Sequence, residues 1–403
     1  LKYLLLWPFR WFLIATIVGV CAGTASAALL ASLDWVTHFR DVHLWLIALL
    51  PLGGFGIGLL YHHYGRSVEA GNNLILEEIH KEVDSPKNMI PLRMTPMVLL
   101  GTVATHFFGG SAGREGTAIQ MGASLADQFH GAFKLESQDR KILLMAGVSA
   151  GFGSVFGTPL AGAVFGLEVL SFRRANPSAL FPCLIAALVG DFVTRAWRIH
   201  HTLYVVSSFP SLSFLGVGAA IAAGACFGLT GMAFSRANHW LSAALKKRIP
   251  YSPLRLFSGG LVVALLVWAV GNTRYIGLGI PTIVDSFSTR LAPWDFFGKF
   301  VFTTLTLGSG FKGGEVTPLF FIGATLGNAL SYILPLPTSL LAGMGFVGVF
   351  AGAANTPIAS TVMAVELFGS SAVPYVAIAC GVSFLCSGRV GIYHRPHKHL
   401  HRK

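Results

Sequence analysis

Charge is what this sequence has least of: 17 Asp and Glu with 29 Lys and Arg amount to 11% of its 403 residues, against roughly 25% in an average soluble domain. That shortage excludes an ordinary water-soluble protein. Cysteine is scarce as well. The five present, Cys21, Cys183, Cys226, Cys380 and Cys386, are scattered through apolar segments without metal-ligand spacing, so they read as buried inert thiols and not as a disulfide framework. Neither a metal nor a cofactor is expected.

What the chain has in quantity is apolar sequence. No Asp, Glu, Lys or Arg interrupts residues 11–33, 94–113, 142–167, 202–235, 256–273, 316–365 or 367–388, and about 20 such residues span a bilayer core as a helix. A secretory signal would account for one N-terminal run but not for runs recurring to residue 388. A transmembrane barrel would alternate in ten-residue strands, and these blocks do not. The fold class is therefore an all-α polytopic membrane protein, with the lipid bilayer as its surroundings.

The formal net charge of +12 raises nucleic acid as a partner, but the basic residues border the apolar runs. Lys2 and Arg10, Arg140 and Lys141, Arg173 and Arg174, and Lys246 to Arg248 all sit at such edges, as the residues of cytoplasmic loops do. No nucleic-acid partner is expected. Both termini are basic, so both are placed on the cytoplasmic side. The His-rich segment 394–403 reads as a solvated basic tail, with metal binding by its histidines as the other reading.

The chain also repeats itself. A shift of 201 residues aligns Gly113 with Gly314, Gly122 with Gly323, Ala123 with Ala324 and Leu125 with Leu326. A shift of 198 aligns Thr158-Pro159 with Thr356-Pro357, Phe152 with Phe350 and Glu168 with Glu366. Two blocks in the same order, half a chain apart, indicate duplication, and repeats in membrane proteins point to a transporter or channel with its site at the repeat interface. Repeat 1 covers about 10–200 and repeat 2 about 211–393, within a single transport domain spanning 1–403.

Glycine clusters puncture the apolar runs at Gly109-Gly110-Ser111-Ala112-Gly113, Gly308-Ser309-Gly310 and Gly313-Gly314. Irregular backbone at membrane depth survives only where protein or a water-filled cavity satisfies it. Thr158-Pro159, Thr317-Pro318 and Thr356-Pro357 read as helix starts, with Thr as cap and Pro in the first turn. Several helix starts aimed at one cavity would form an anion site from backbone N–H groups.

Four acidic residues, Glu115, Glu168, Glu315 and Glu366, lie in apolar or Gly-rich surroundings where an ionised carboxylate needs a partner, a cap or a proton. Glu168 and Glu366, at equivalent repeat positions, are expected to share a structural role near a helix end. Glu115 can either complement its own helix dipole or occupy the anion-binding amides and leave them on protonation, coupling anion to proton. The G-x-S-x-G spacing around Ser111, and again around Ser149, raises an intramembrane serine hydrolase, but 47 glycines produce such matches readily by chance. The chain is read as a transporter and not as an enzyme.

Gly113-Arg114-Glu115-Gly116-Thr117 resembles the G-[KR]-E-G-P signature of the CLC family of anion channels and anion/proton antiporters. Gly314-Glu315-Val316-Thr317-Pro318 resembles that family's G-x-F-x-P, Gly71-Asn72-Asn73-Leu74-Ile75 stands where the family has G-S-G-I-P, and Tyr393 falls at the position of its pore tyrosine. The departures are Asn72 for serine, Thr117 for proline, Glu315 and Thr317 in the second signature, and Val169 where chloride/proton exchangers carry an internal glutamate. Together they resemble the branch of CLC-type fluoride/proton antiporters.

The resemblance implies inverted repeats of broken, tilted helices and a homodimer with one pathway per subunit. It implies that Glu115 is the gating and proton-carrying glutamate, that Asn72 and Tyr393 line the anion pathway, and that Gly116, Thr117, Val316 and Thr317 help hold the ion. Glu315 is then the branch-specific feature and a candidate for the proton route that Val169 interrupts. The expected function is fluoride export in exchange for protons across the plasma (inner) membrane. A chloride/proton exchanger or passive anion channel of the same family is the alternative. With ten residues beyond Tyr393, no cytoplasmic regulatory domain is expected.

Overall fold

The computed structural model describes residues 2–80, 89–169, 177–388 and 390–393. The tail 394–403 and the pair Arg173-Arg174 lie outside the described residues.

The first half builds α1 (Lys2–Val42), α2 (Leu50–Tyr64), α3 (Asn72–His80), α4 (Met94–Phe107), α5 (Glu115–Asp127), α6 (Phe129–Ala132), α7 (Ser137–Phe156), α8 (Pro159–Glu168) and α9 (Leu180–Ala196). The second half builds α10 (Phe214–Arg248), α11 (Ser252–Val270), α12 (Ile280–Ser288), α13 (Asp295–Gly308), α14 (Val316–Leu330), α15 (Thr338–Ala354), α16 (Pro357–Phe368) and α17 (Val373–Ser387). Among the described residues six helical stretches are long and apolar enough to cross a membrane. Others are apolar but short. The 10 residues of α8 reach only about 15 Å, half of a hydrocarbon core, so such helices end inside the protein where other groups must satisfy their termini.

Each half packs by the same plan. α1 lies on α7 and α9 as α10 lies on α15 and α17, α5 lies on α7 as α14 lies on α15, and α2 meets α11 across the halves. The corners match too: α7 ends at Gly157 (φ 72°) and α15 at Asn355 (φ 57°), 198 residues apart, both in the left-handed region. That conformation stops the helix and suits Gly or Asn, and Thr-Pro then starts the next helix at a new angle.

The α5–α7 and α14–α15 contacts are close because glycine faces glycine. A Cβ on Gly147 would stand 2.6 Å from the Gly122 carbonyl, and Gly323 and Gly345 approach each other more closely still. Without a hydrophobic drive between helices in lipid, such small-residue packing is what holds them together. The core lies between the halves. Phe152 stacks on Phe165 and Phe320 on Phe346, each with centroids 4.1 Å apart, and the repeat-equivalent Phe152 and Phe350 are 6.0 Å apart.

Candidate functional site

The two glycine-rich signatures meet. Gly113 N–H donates to the Gly314 carbonyl at 2.6 Å and Gly314 N–H donates to the Gly113 carbonyl at 2.7 Å, an isolated antiparallel bridge between the halves. Only glycine permits this approach at 314, where a Cβ would stand 2.7 Å from the Gly116 nitrogen. The bridge brings the start of α5 beside the start of α14.

Glu115 crosses that junction. Its side chain is fully buried. Oε2 accepts from the Thr317 amide at 3.0 Å and from the Arg114 amide at 3.1 Å, and the Thr317 hydroxyl donates to Oε1. The Arg114 guanidinium stands 3.8 Å away. The carboxylate of one half therefore occupies the first turn of a helix in the other half, where free N–H groups and the helix dipole favour an anion. Glu115 thus reaches beyond its own helix start to a first-turn amide of α14. The amides of Gly116 and Val316 belong to the same two first turns, which leave their N–H groups outside the helical ladder.

Beside the junction is a cavity of about 230 Å³ lined by Asn72, Gly116, Glu315, Tyr393, Asn238 and Lys312, among others. At about 30 Å³ per water it has room for several waters. Asn72 enters from the start of α3, and Tyr393 is held edge-on to Phe165 with centroids 6.0 Å apart. Glu315 reaches the cavity as the residue preceding α14. Thr117 faces the other way, its hydroxyl 2.7 Å from that of Thr102.

The Thr-Pro motifs resolve differently from expectation. None of the three threonines caps its helix: α14 starts at Val316 with Pro318 at its third position, and α8 and α16 have no side-chain cap at Thr158 or Thr356. The starts of α8 and α16 are not open to the cavity either. Glu168 accepts from the Ile358 and Ala359 amides of α16, and Glu366 accepts from the Leu160 and Ala161 amides of α8. A carboxylate reaches the second and third amides, which the shorter Thr side chain leaves free. One Thr-Pro segment of three, Thr317-Pro318, thus contributes to this junction, and the structural role expected of Glu168 and Glu366 is a reciprocal one.

Among the described residues, neither serine has a general base in hydrogen-bond contact. The Ser111 hydroxyl lies 2.8 Å from that of Thr303, and Ser111 and Ser149 are fully buried, whereas a nucleophilic serine needs an adjacent general base and access. Sequence reasoning passed over Lys312 although it is the one basic residue inside the glycine-rich break 308–314. Its ammonium lies 4.0 Å from the centroid of the Tyr61 ring, and the cavity's Glu69 is directed to Arg255 at 3.7 Å. Asn238 carried no local signal, being one of several polar residues, with Arg236 and His239 beside it, in the second half of a long helix.

Residues 53–388 match the family described as "Voltage gated chloride channel". A protein of Pseudomonas syringae pv. tomato named chloride/fluoride channel protein is 57% identical over 96% of this chain and 86% of its own length. An H(+)/Cl(-) exchange transporter of Vibrio parahaemolyticus is 26% identical over 89% of this chain and 82% of its own. Among solved structures, a CLC-type fluoride/proton antiporter superposes with a TM-score of 0.91 at 34% identity, covering 96% of this chain and 97% of that one. A slow cyanobacterial Cl-/H+ antiporter, at 21% identity and a TM-score of 0.82, shares the fold.

Proposed function

The chain belongs to the voltage gated chloride channel family, and from that premise we propose that it exports fluoride across the membrane in exchange for protons. It is an anion-transporting membrane protein with antiporters among its relatives. The observation that carries the finer reading is the Glu115 carboxylate held by the amide and hydroxyl of Thr317. An ionised Glu115 fills the place an anion would take. A protonated Glu115 is neutral, a weaker acceptor, and releases those donors to the ion, so anion and proton occupy the junction in turn.

Fluoride is small and strongly hydrated, and it needs several donors at once before it sheds water. The Thr317 amide and hydroxyl, the Gly116 and Val316 amides and the Asn72 side-chain amide are such donors, with Tyr393 beside the path. Glu315, facing the cavity, takes and returns the proton on that side, where Val169 supplies no carboxyl. Support for fluoride comes from the likeness to a solved CLC-type fluoride/proton antiporter, while the Pseudomonas relative is named for chloride and fluoride alike. The protein functions as a homodimer in the plasma membrane with both termini cytoplasmic.

Purified protein in proteoliposomes loaded with fluoride is expected to take up protons as fluoride leaves. Fluoride efflux without proton movement would reduce the protein to a channel, and an equal chloride flux would favour the chloride/proton exchange borne by the Vibrio relative's name.

A further inference from the structure

We propose that Asn238 is a positioning residue for the proton step, its side-chain amide serving the Glu315 carboxylate through Nδ2 and the Glu315 carboxylic acid through Oδ1. The inference rests on the reading above in which Glu315 exchanges a proton with the cavity.

Asn238 lies in α10, with its side chain buried. Its Nδ2–H donates to Oε1 of Glu315, a bond to a charged acceptor when the carboxyl is ionised. Its Oδ1 is shielded from solvent and has no hydrogen-bond partner among the described residues. A buried acceptor without a donor is costly and calls for a reason. Here the chemistry of the pair supplies one. An ionised carboxylate only accepts, so it can satisfy Nδ2 and never Oδ1. A protonated carboxyl carries one O–H donor in addition to its acceptor, and that donor is what Oδ1 lacks.

The step balances simply. A hydronium ion in the cavity gives its proton to the free oxygen of Glu315 and leaves as water, and the new O–H donates to Oδ1 of Asn238. The ionised state is held by one charge-assisted bond and the neutral state by two ordinary ones, so the same amide serves both forms of the carboxyl. A side chain that only packed α10 against the start of α14 would not need an amide beside the Glu315 carboxyl. Glu315 and Asn238 both line it.

The test uses the whole protein in proteoliposomes, with fluoride efflux and fluoride-driven proton uptake measured in the same vesicles. Asn238→Leu removes both polar atoms at similar volume. The protons carried per fluoride are expected to fall about tenfold, the scale of losing a hydrogen bond to a charged group, and Asn238→Gln, which restores an amide, should recover part of the loss. If the Leu protein is not recovered folded, Asn238→Ser is read by the same criterion. An unchanged proton-to-fluoride ratio in the folded Leu or Ser variant overturns the inference while leaving the exchange reading intact. A wild-type protein that moves fluoride without protons overturns both.

Discussion

Glu168 and Glu366 hold each other's helices. Glu168, near the end of α8, accepts from Ile358 at 2.9 Å and Ala359 at 2.6 Å at the start of α16. Glu366, near the end of α16, accepts from Leu160 at 2.9 Å and Ala161 at 2.8 Å at the start of α8. Each short helix thereby has its free amides satisfied by the other half of the chain. Glu168 is buried and Glu366 is half-buried. Hydrogen bonds to a charged group contribute about 1.5–3 kcal/mol, more where water cannot substitute. Glu168→Ala is therefore expected to lower stability by about 3 kcal/mol and Glu366→Ala by less, compared by thermal denaturation in detergent. Equal and negligible effects would mean that the caps hold nothing together.

At the junction, Glu115→Gln keeps the shape of the side chain and removes its charge and its ability to release a proton. Anion flux should persist while fluoride-driven proton uptake disappears. Coupled exchange surviving in this variant would assign the proton to another group.

Thr317 supplies two donors, of which only the hydroxyl can be removed by substitution. Thr317→Val keeps the β-branched shape and the amide. About tenfold weaker apparent fluoride affinity is expected from one lost donor to an anion, with Thr317→Ser close to the parent. Fluoride titration by calorimetry reads this directly, and a Val variant that binds like the parent would remove the hydroxyl from the site.

Lys312 is a cation in the cavity with no carboxylate in contact among the described residues. On the proposed path its charge would draw the anion toward the cavity. Lys312→Met should reduce fluoride flux about fivefold at low ionic strength and less at high salt, because added ions screen the same field. A salt-independent loss would instead indicate damage to the packing against Tyr61.

The glycine seam tolerates nothing larger. A Cβ on Gly323 would overlap the carbonyl of Gly345, which is backbone and cannot step aside, while Gly218 in α10 has open space around it. Gly323→Ala is expected to cost about 3 kcal/mol or more, seen as loss of the monodisperse peak in size-exclusion chromatography. Gly218→Ala should behave as the parent within about 0.5 kcal/mol.

Much was legible before any coordinates. Apolar runs about 20 residues long indicate membrane helices, because a backbone in lipid must satisfy its own hydrogen bonds, although the run 94–113 folds as a 14-residue helix followed by a glycine-rich break. The shifts of 201 and 198 residues announced two halves built alike, and their corners at Gly157 and Asn355 are indeed equivalent. The residues around Glu115, Glu315 and Asn72 declared themselves because their motifs are contiguous in the chain.

What the sequence could not assign was which helix each carboxylate serves. Glu115 and Glu168 both stand near helix ends, and local spacing treats them alike. Packing separates them: Glu115 reaches Thr317, 202 residues away, at the junction beside the cavity, and Glu168 reaches Ile358, 190 residues away, at a closed cap. The amides at a helix start are satisfied by whichever acceptor comes within about 3 Å. Periodicity and motif thus determined the bilayer setting, the two halves and the candidate residues. The approach of the halves at Gly113 and Gly314 decided which helix start receives the Glu115 carboxylate, because that distance exists only once the chain is folded.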